Sequence, residues 1–204
     1  MIEIFDCEQN SPEWYQCRSG LVTASSLSKV LAKGQGKTRE AYAKQIACER
    51  FTGLPTEGWG GNEYTKRGHE QEPEAQAEYT LITGNELTKC GFMVNHRDIG
   101  GVGYSPDGLT EFGLFEGKTR KSELHFDLLK SGEVPSEHRA QIQCGLWVSG
   151  RDSLDFMCYS RGMPSFIKTV HRDDEFIQVA RQEVIKFYAL VEEYIDFLIR
   201  YQVA

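Results

Sequence analysis

Along residues 174–201 an apolar side chain returns at every third or fourth position: Ile177, Ala180, Val184, Phe187, Val191, Ile195 and Leu198. That spacing puts them on one stripe of a cylinder and predicts a long closing helix whose charged residues face water. A weaker version of the same period marks Arg39 to Phe51 through Ala43, Ile46, Ala47 and Phe51, with Gly53-Leu54-Pro55 as its stop. A short helix is expected after Thr23 as N-cap, turning Leu27, Val30 and Leu31 inward. Residues 62–82 read as a third helical segment; Pro73 lacks a backbone donor there and predicts a kink or a fresh start, and Gly84 closes the segment. SEHRAQIQCGLWV, residues 136–148, reads as another helix.

Between these helices the period changes. LTKCGFMVNH, GGVGYS and GLFEGKT alternate in part and are separated by turn residues, and SLDFMCYS and SFIKTVHR do the same after residue 150. Helices, a group of strands, a helix, two more strands and a closing helix predict an α/β or α+β fold with the sheet covered by helices. A chain of 204 residues fits one domain, and residues 1–204 read as such, with no repeat and no low-complexity tract.

Composition narrows the class. With 40% apolar and 11% aromatic residues and no long apolar run, the chain reads as soluble and globular. MIEIFDCEQNSPEW carries acids where an export signal would carry bases, which predicts a cytoplasmic protein. Six cysteines lie far apart, with no CxxC pair, and read as free thiols. The net charge of −7 excludes a generally basic coat for nucleic acid, so a polyanion would need a local basic lining. Lys29, Lys33, Lys37, Arg39 and Lys44 form one candidate group, and Lys66, Arg67, Lys118, Arg120 and Lys121 another.

The densest chemistry lies in GYSPDGLTEFGLFEGKTRK, residues 103–121. SPDG is by itself an ordinary turn. In a strand through Leu114–Lys118, however, Glu116 and Lys118 point to one face and Phe115 to the other, and a hairpin brings Asp107 beside that face. Two converging carboxylates repel unless a cation lies between them, and hard oxygen donors favour Mg²⁺ or Mn²⁺. An adjoining ammonium then orients or deprotonates a nucleophile, and the Gly117 carbonyl is a further ligand. This chemistry points to phosphodiester hydrolysis.

Asp-x8-Glu-x-Lys after SPDG resembles the PD-(D/E)xK nuclease superfamily, and within it the phage lambda-type exonuclease or YqaJ-like viral recombinase family. Three further segments share the likeness. EWYQCRSGLVTASSLSKVLAK, residues 13–33, resembles the segment that grips a terminal 5′-phosphate, which implies that role for Arg18 and Ser25, with Thr23, Lys33 and Lys37 nearby. RGHEQEPEAQAEY, residues 67–79, resembles the helix with a third acid, matched by Glu72, with Glu70 and Glu74 as neighbouring registers. HRAQIQCGLWVSG, residues 138–150, resembles a glutamine-bearing helix, matched by Gln141 with Gln143 as fallback. Tyr64 and Thr65 occupy the positions of the relatives' apolar wedge.

The resemblance implies a restriction-endonuclease-like core with a mixed central sheet. It implies a 5′→3′ exonuclease on linear double-stranded DNA using Mg²⁺ or Mn²⁺, with two ions per site held by Asp107, Glu116, Gly117 and Glu72. A homotrimeric ring around DNA ends, 3′ overhangs and a single-strand annealing partner in the host of a phage or prophage are implied likewise. The competing readings are an endonuclease on the same core and a non-catalytic DNA-end-binding module.

Overall fold

The structure is a computed structural model that describes residues 1–33, 36–56, 63–97 and 100–203, with the side chains of 63–70 and 203 outside the description. Its strands form two four-stranded ladders. In the first, β1 (Ile2–Phe5) pairs antiparallel with β3 (Phe92–Asn95), which pairs antiparallel with β4 (Val102–Tyr104), and β2 (Val22–Thr23) runs parallel on the far side of β4. In the second, β5 (Gly108–Leu109) pairs antiparallel with β6 (Leu114–Thr119), β7 (Ser153–Tyr159) lies parallel beside β6, and β8 (Phe166–His171) closes the edge antiparallel. The sheet expected as one unit is thus shared between two ladders, because β4 and β5 are successive parts of one stretch that changes partners between Tyr104 and Gly108.

Each helix has a local cause. Ser11 caps α1 (Pro12–Arg18) by accepting the Trp14 N–H at 3.2 Å, and proline at the first position fixes the entry angle. A 3₁₀ turn (Ala24–Ser26) and α2 (Leu27–Val30) follow Thr23, which stands at the N-cap with an extended backbone but makes no side-chain cap bond. Next come α3 (Lys37–Thr52) and α4 (Glu63–Thr83). Pro73 lies inside α4 without dividing it into two elements. Then come α5 (Ser122–Ser131), a 3₁₀ turn (Ser136–His138), α6 (Arg139–Ser149) and α7 (Asp174–Val203). Among the described residues no helix is long and apolar enough to cross a membrane.

The stripe on α7 seals the main core. Ile177, Ala180, Val184, Phe187 and Val191 are buried, and Phe187 meets Tyr42 of α3 with ring centroids 5.3 Å apart. Ile195 and Leu198 are only half-buried, since α7 outruns the layer beneath it. On the second ladder Leu114, Phe156 and Cys158 face the main core, while Phe115 and Met157 face Ala75 and Tyr79 of α4. Both faces of β6 are therefore covered, and Glu116, on the Leu114 face, is carried inside the protein.

α6 lies close against β4 because Gly145 leaves room: a Cβ there would stand 2.8 Å from the Tyr104 ring. Residues 142–148 are all buried in consequence. β1, β2 and β5 carried too few residues to be read from the chain, α1 and α5 are helices the sequence reading did not include, and the long strand expected at 87–96 shrinks to β3, with Thr88 making only an isolated bridge to Leu109.

Candidate active site

Asp107 sits where the chain passes from one ladder to the other: β4 before it pairs with β3, and β5 after it pairs with β6, which continues beside β7. Asp107 Oδ2 accepts the Gly117 N–H at 2.8 Å, which fixes this side chain beside β6. Glu116 is 1% exposed and every donor near it is aimed at its carboxylate: Tyr104 Oη at 3.1 Å from Oε2, and Lys118 Nζ and Gln141 Nε2 on Oε1. Gln76 Nε2, one turn after Glu72 on the same face of α4, donates both to Glu72 Oε1 and to the Asp107 carbonyl at 3.2 Å each. The structure thus brings Asp107, Glu116, Lys118, Gln141 and Glu72 to one place, from four different segments of chain.

The electrostatics match that crowding. Burial first, then the Glu116 charge, push the Asp107 carboxyl up to about 7, although Lys118 and the Gly117 N–H pull the other way. Burial alone would lower the Lys118 ammonium, but Glu116, Asp107 and Glu72 raise it above its ordinary range, so it is firmly charged. Tyr104 is likewise raised, by burial and by Glu116, and stays a neutral donor. An excess of carboxylate over ammonium in this cluster is an arrangement that a bound cation would relieve. Asp107 Oδ1 carries no hydrogen bond among the described residues, and the Glu116 oxygens keep lone pairs to spare. Among the described residues no three His, Cys, Asp or Glu side chains close on a common point, so an all-oxygen ion held here draws on Asp107, Glu116, the Gly117 carbonyl and water, with Glu72 alongside.

The other candidates separate cleanly. Gln143 donates to the His171 carbonyl at 2.9 Å and accepts the Asp173 N–H at 2.8 Å, tying α6 to the entry of α7. Glu74 turns to Tyr159 and Arg161 on the outer side of α4. Glu70, Tyr64, Thr65, Lys66 and Arg67 lie outside the described side chains.

A second feature adjoins the acids. Arg18 packs its guanidinium 4.0 Å over the Trp14 ring, beside a cavity of about 690 Å³ that Thr23, Ser25 and Lys29 also line. Its hydrogen bonds to Ser25 Oγ and Ser105 Oγ are both long, 3.4 Å, and among the described residues it makes no ion pair. Burial therefore lowers its pKa. Arg18 is thus a half-buried cation that feels the Glu49 charge, in a setting that could receive an anion. Lys33 and Lys37 are exposed and do not line this cavity, whereas Lys29 does. Arg39 and Lys44 are spent on Glu183 and Glu40.

Ser105 links the two features. Two residues before Asp107, it accepts from Trp14 Nε1 at 2.8 Å as well as from Arg18, while Gln9 holds the Pro106 carbonyl at 2.8 Å. Sequence reading missed Trp14, Gln76, Tyr104 and Ser105. Only Gln76 carried a usable signal, its four-residue spacing from Glu72.

A family model for the YqaJ-like viral recombinase domain matches residues 13–152. The chain belongs to that family. No curated protein matches it significantly. Among solved structures, an alkaline exonuclease from Laribacter hongkongensis is 34% identical over 95% of this chain and 98% of that one, with a TM-score of 0.84. The same enzyme in complex with dAMP gives a TM-score of 0.85 at the same identity and coverage. A phage-related exonuclease from Haemophilus somnus 129PT shares the fold, at 19% identity over 89% of this chain and 96% of that one, with a TM-score of 0.58. The YqaJ-family chain therefore has a restriction-endonuclease-like fold, with the strands and helices arranged as described above.

Proposed function

We propose that this YqaJ-family chain is a metal-dependent 5′→3′ exonuclease that hydrolyses one strand of linear double-stranded DNA from a 5′-phosphorylated end. The observation that carries the reading is the meeting of Asp107, Glu116 and Lys118 where the chain passes from one ladder to the other, with Arg18, which makes no ion pair among the described residues, reaching Ser105 two residues before Asp107. Such a pairing of a cation-seeking acid cluster with an anion pocket suits a substrate held by its end and cut close to it.

Asp107, Glu116, the Gly117 carbonyl and Glu72 would hold Mg²⁺ or Mn²⁺, one ion or two, which when bound lowers the pKa of a water and offsets phosphate charge. Gln141 and Tyr104 fix the Glu116 carboxylate so that it need not reorganise. Lys118, kept as an ammonium by its acidic neighbours, orients the attacking water and meets charge growing on the phosphate. Arg18 and Ser25 hold the terminal phosphate, with Thr23 and Lys29 behind them and Lys33 and Lys37 farther out on the approach to DNA. The Laribacter relative was solved with dAMP, a deoxynucleoside monophosphate, which is the class of product such a cut releases.

In this reading the enzyme works as a homotrimer that encircles its DNA in the cytoplasm of a phage's bacterial host, and passes the 3′ overhang to a single-strand annealing protein. A linear duplex labelled at either 5′ end, set beside a closed circle, tests the activity. Steady release of 5′-mononucleotides from the linear duplex in Mg²⁺, abolished by chelator, is expected. Cutting of the closed circle would instead favour an endonuclease, and binding of ends without cleavage a non-catalytic module.

A further inference from the structure

We infer that Arg120, with His138 behind it, is a binding site for the phosphate immediately 3′ of the scissile one on the strand being cut. This extends the nuclease reading given above and rests on it.

The alternation along β6 puts Glu116 and Lys118 on one face, and Arg120, the first residue past its end, still pairs its backbone with Tyr159, so that the same two-residue step leads from Lys118 to Arg120. Each two-residue step advances roughly 6.6 Å along the strand, a step of the size that separates neighbouring phosphates on one nucleic-acid strand. Arg18 approaches the acids from the side of β4, through Ser105, whereas β6 carries Arg120 away along β7, where its N–H reaches the Tyr159 carbonyl at 3.1 Å. A strand whose 5′ end lies at Arg18 and whose first internal phosphate lies at Asp107, Glu116 and Lys118 meets Arg120 one such step beyond Lys118.

The guanidinium is prepared for that role. Its side chain is 20% exposed, and both of its described partners, Glu137 and the His138 ring nitrogen at 3.3 Å, touch the same nitrogen, Nη2. Nε and Nη1 carry no hydrogen bond among the described residues; each can donate singly to a phosphate oxygen, and a bidentate grip opens once Glu137 leaves Nη2, which both edges of the fork share. His138 stacks on Phe156 at 5.2 Å, and burial followed by the Lys118 charge lowers its pKa to about 4. A neutral ring can accept from the guanidinium without repelling it. Glu137 is 65% exposed, so its ion pair with Arg120 contributes little and a phosphate can displace it.

The test replaces single phosphates of the cut strand by neutral methylphosphonates, one position at a time. It measures kcat/KM in Mg²⁺ and, independently, Kd by fluorescence anisotropy in chelator. In the unaltered protein, neutralising the phosphate 3′ of the scissile bond should lower both measures about tenfold. Arg120→Ala should produce the same loss on unmodified DNA and no further loss on the modified strand. Glu137→Gln, which removes the competing carboxylate from an exposed position, should tighten unmodified DNA several-fold and leave the modified strand unchanged.

Losses that multiply, a loss centred on another phosphate, or a Glu137→Gln protein that distinguishes no position would overturn the assignment. A chain that binds ends but cleaves nothing would sink the nuclease reading, and the anisotropy arm would still decide the phosphate contact.

Discussion

Asp107 offers a direct measure of how far the fold has prepared a cation site in advance. Its carboxyl is moved from 3.8 to about 7 by burial and by Glu116, a displacement of about three pH units that corresponds to about 4 kcal/mol at most. Between these two values the folded, metal-free chain keeps a proton that the unfolded chain has released. Its stability therefore falls as the pH rises through that window and is lowest above 7. Asp107→Asn removes the titrating group, so it should raise the melting temperature of the chelated protein at pH 8 and leave it nearly unchanged at pH 4.

In the proposed function the same group would make metal binding depend on pH. Each Mg²⁺ that binds at pH 6 must displace about nine-tenths of a proton, and at pH 8 only about one-tenth, so affinity should weaken about 30-fold from pH 8 to pH 5.5. Isothermal titration calorimetry in buffers of different ionisation enthalpy reads the proton release directly. A release that does not change with pH, or an Asp107→Asn protein that melts lower than the parent at pH 8 without metal, would refute the reasoning.

Three other outcomes are expected. Lys118→Ala should lower the cleavage rate by about 10³ while the affinity for DNA in chelator changes little, because the ammonium acts mainly on charge formed during reaction; single-turnover assays and anisotropy separate the two effects. Arg18→Ala should erase the difference in rate between duplexes ending in 5′-phosphate and 5′-hydroxyl, read from initial rates on the two substrates side by side. Gly145→Val should destabilise the protein by about 1–3 kcal/mol in urea and slow cleavage as well, since its first carbon would already stand 2.8 Å from the Tyr104 ring and would push that ring off Glu116.

Much of the site was legible in the chain because its parts are local. Asp107, Glu116 and Lys118 sit within one turn and one strand, and alternation alone places Glu116 and Lys118 on a shared face opposite Phe115. The α7 stripe was legible for a similar reason: a long helix repeats its signal many times over, whereas β1, β2 and β5 each offer only a few residues. Gln141 and Gln143 show the limit. Both belong to the same short motif, and only the packing of α6 on Tyr104 turns one to Glu116 and the other to His171.

By itself the sequence determined the residue types, their periodicities and the order of the elements, since these depend on neighbours only a few positions away. Tertiary structure decided that the stretch around Asp107 changes ladders, which sets this acid beside β6, and it set Trp14 and Arg18 against Ser105 across 91 and 87 positions of chain. It also raised the pKa of Asp107 and kept Lys118 charged in spite of its burial, because burial and the field of the neighbouring carboxylates exist only once the chain has folded.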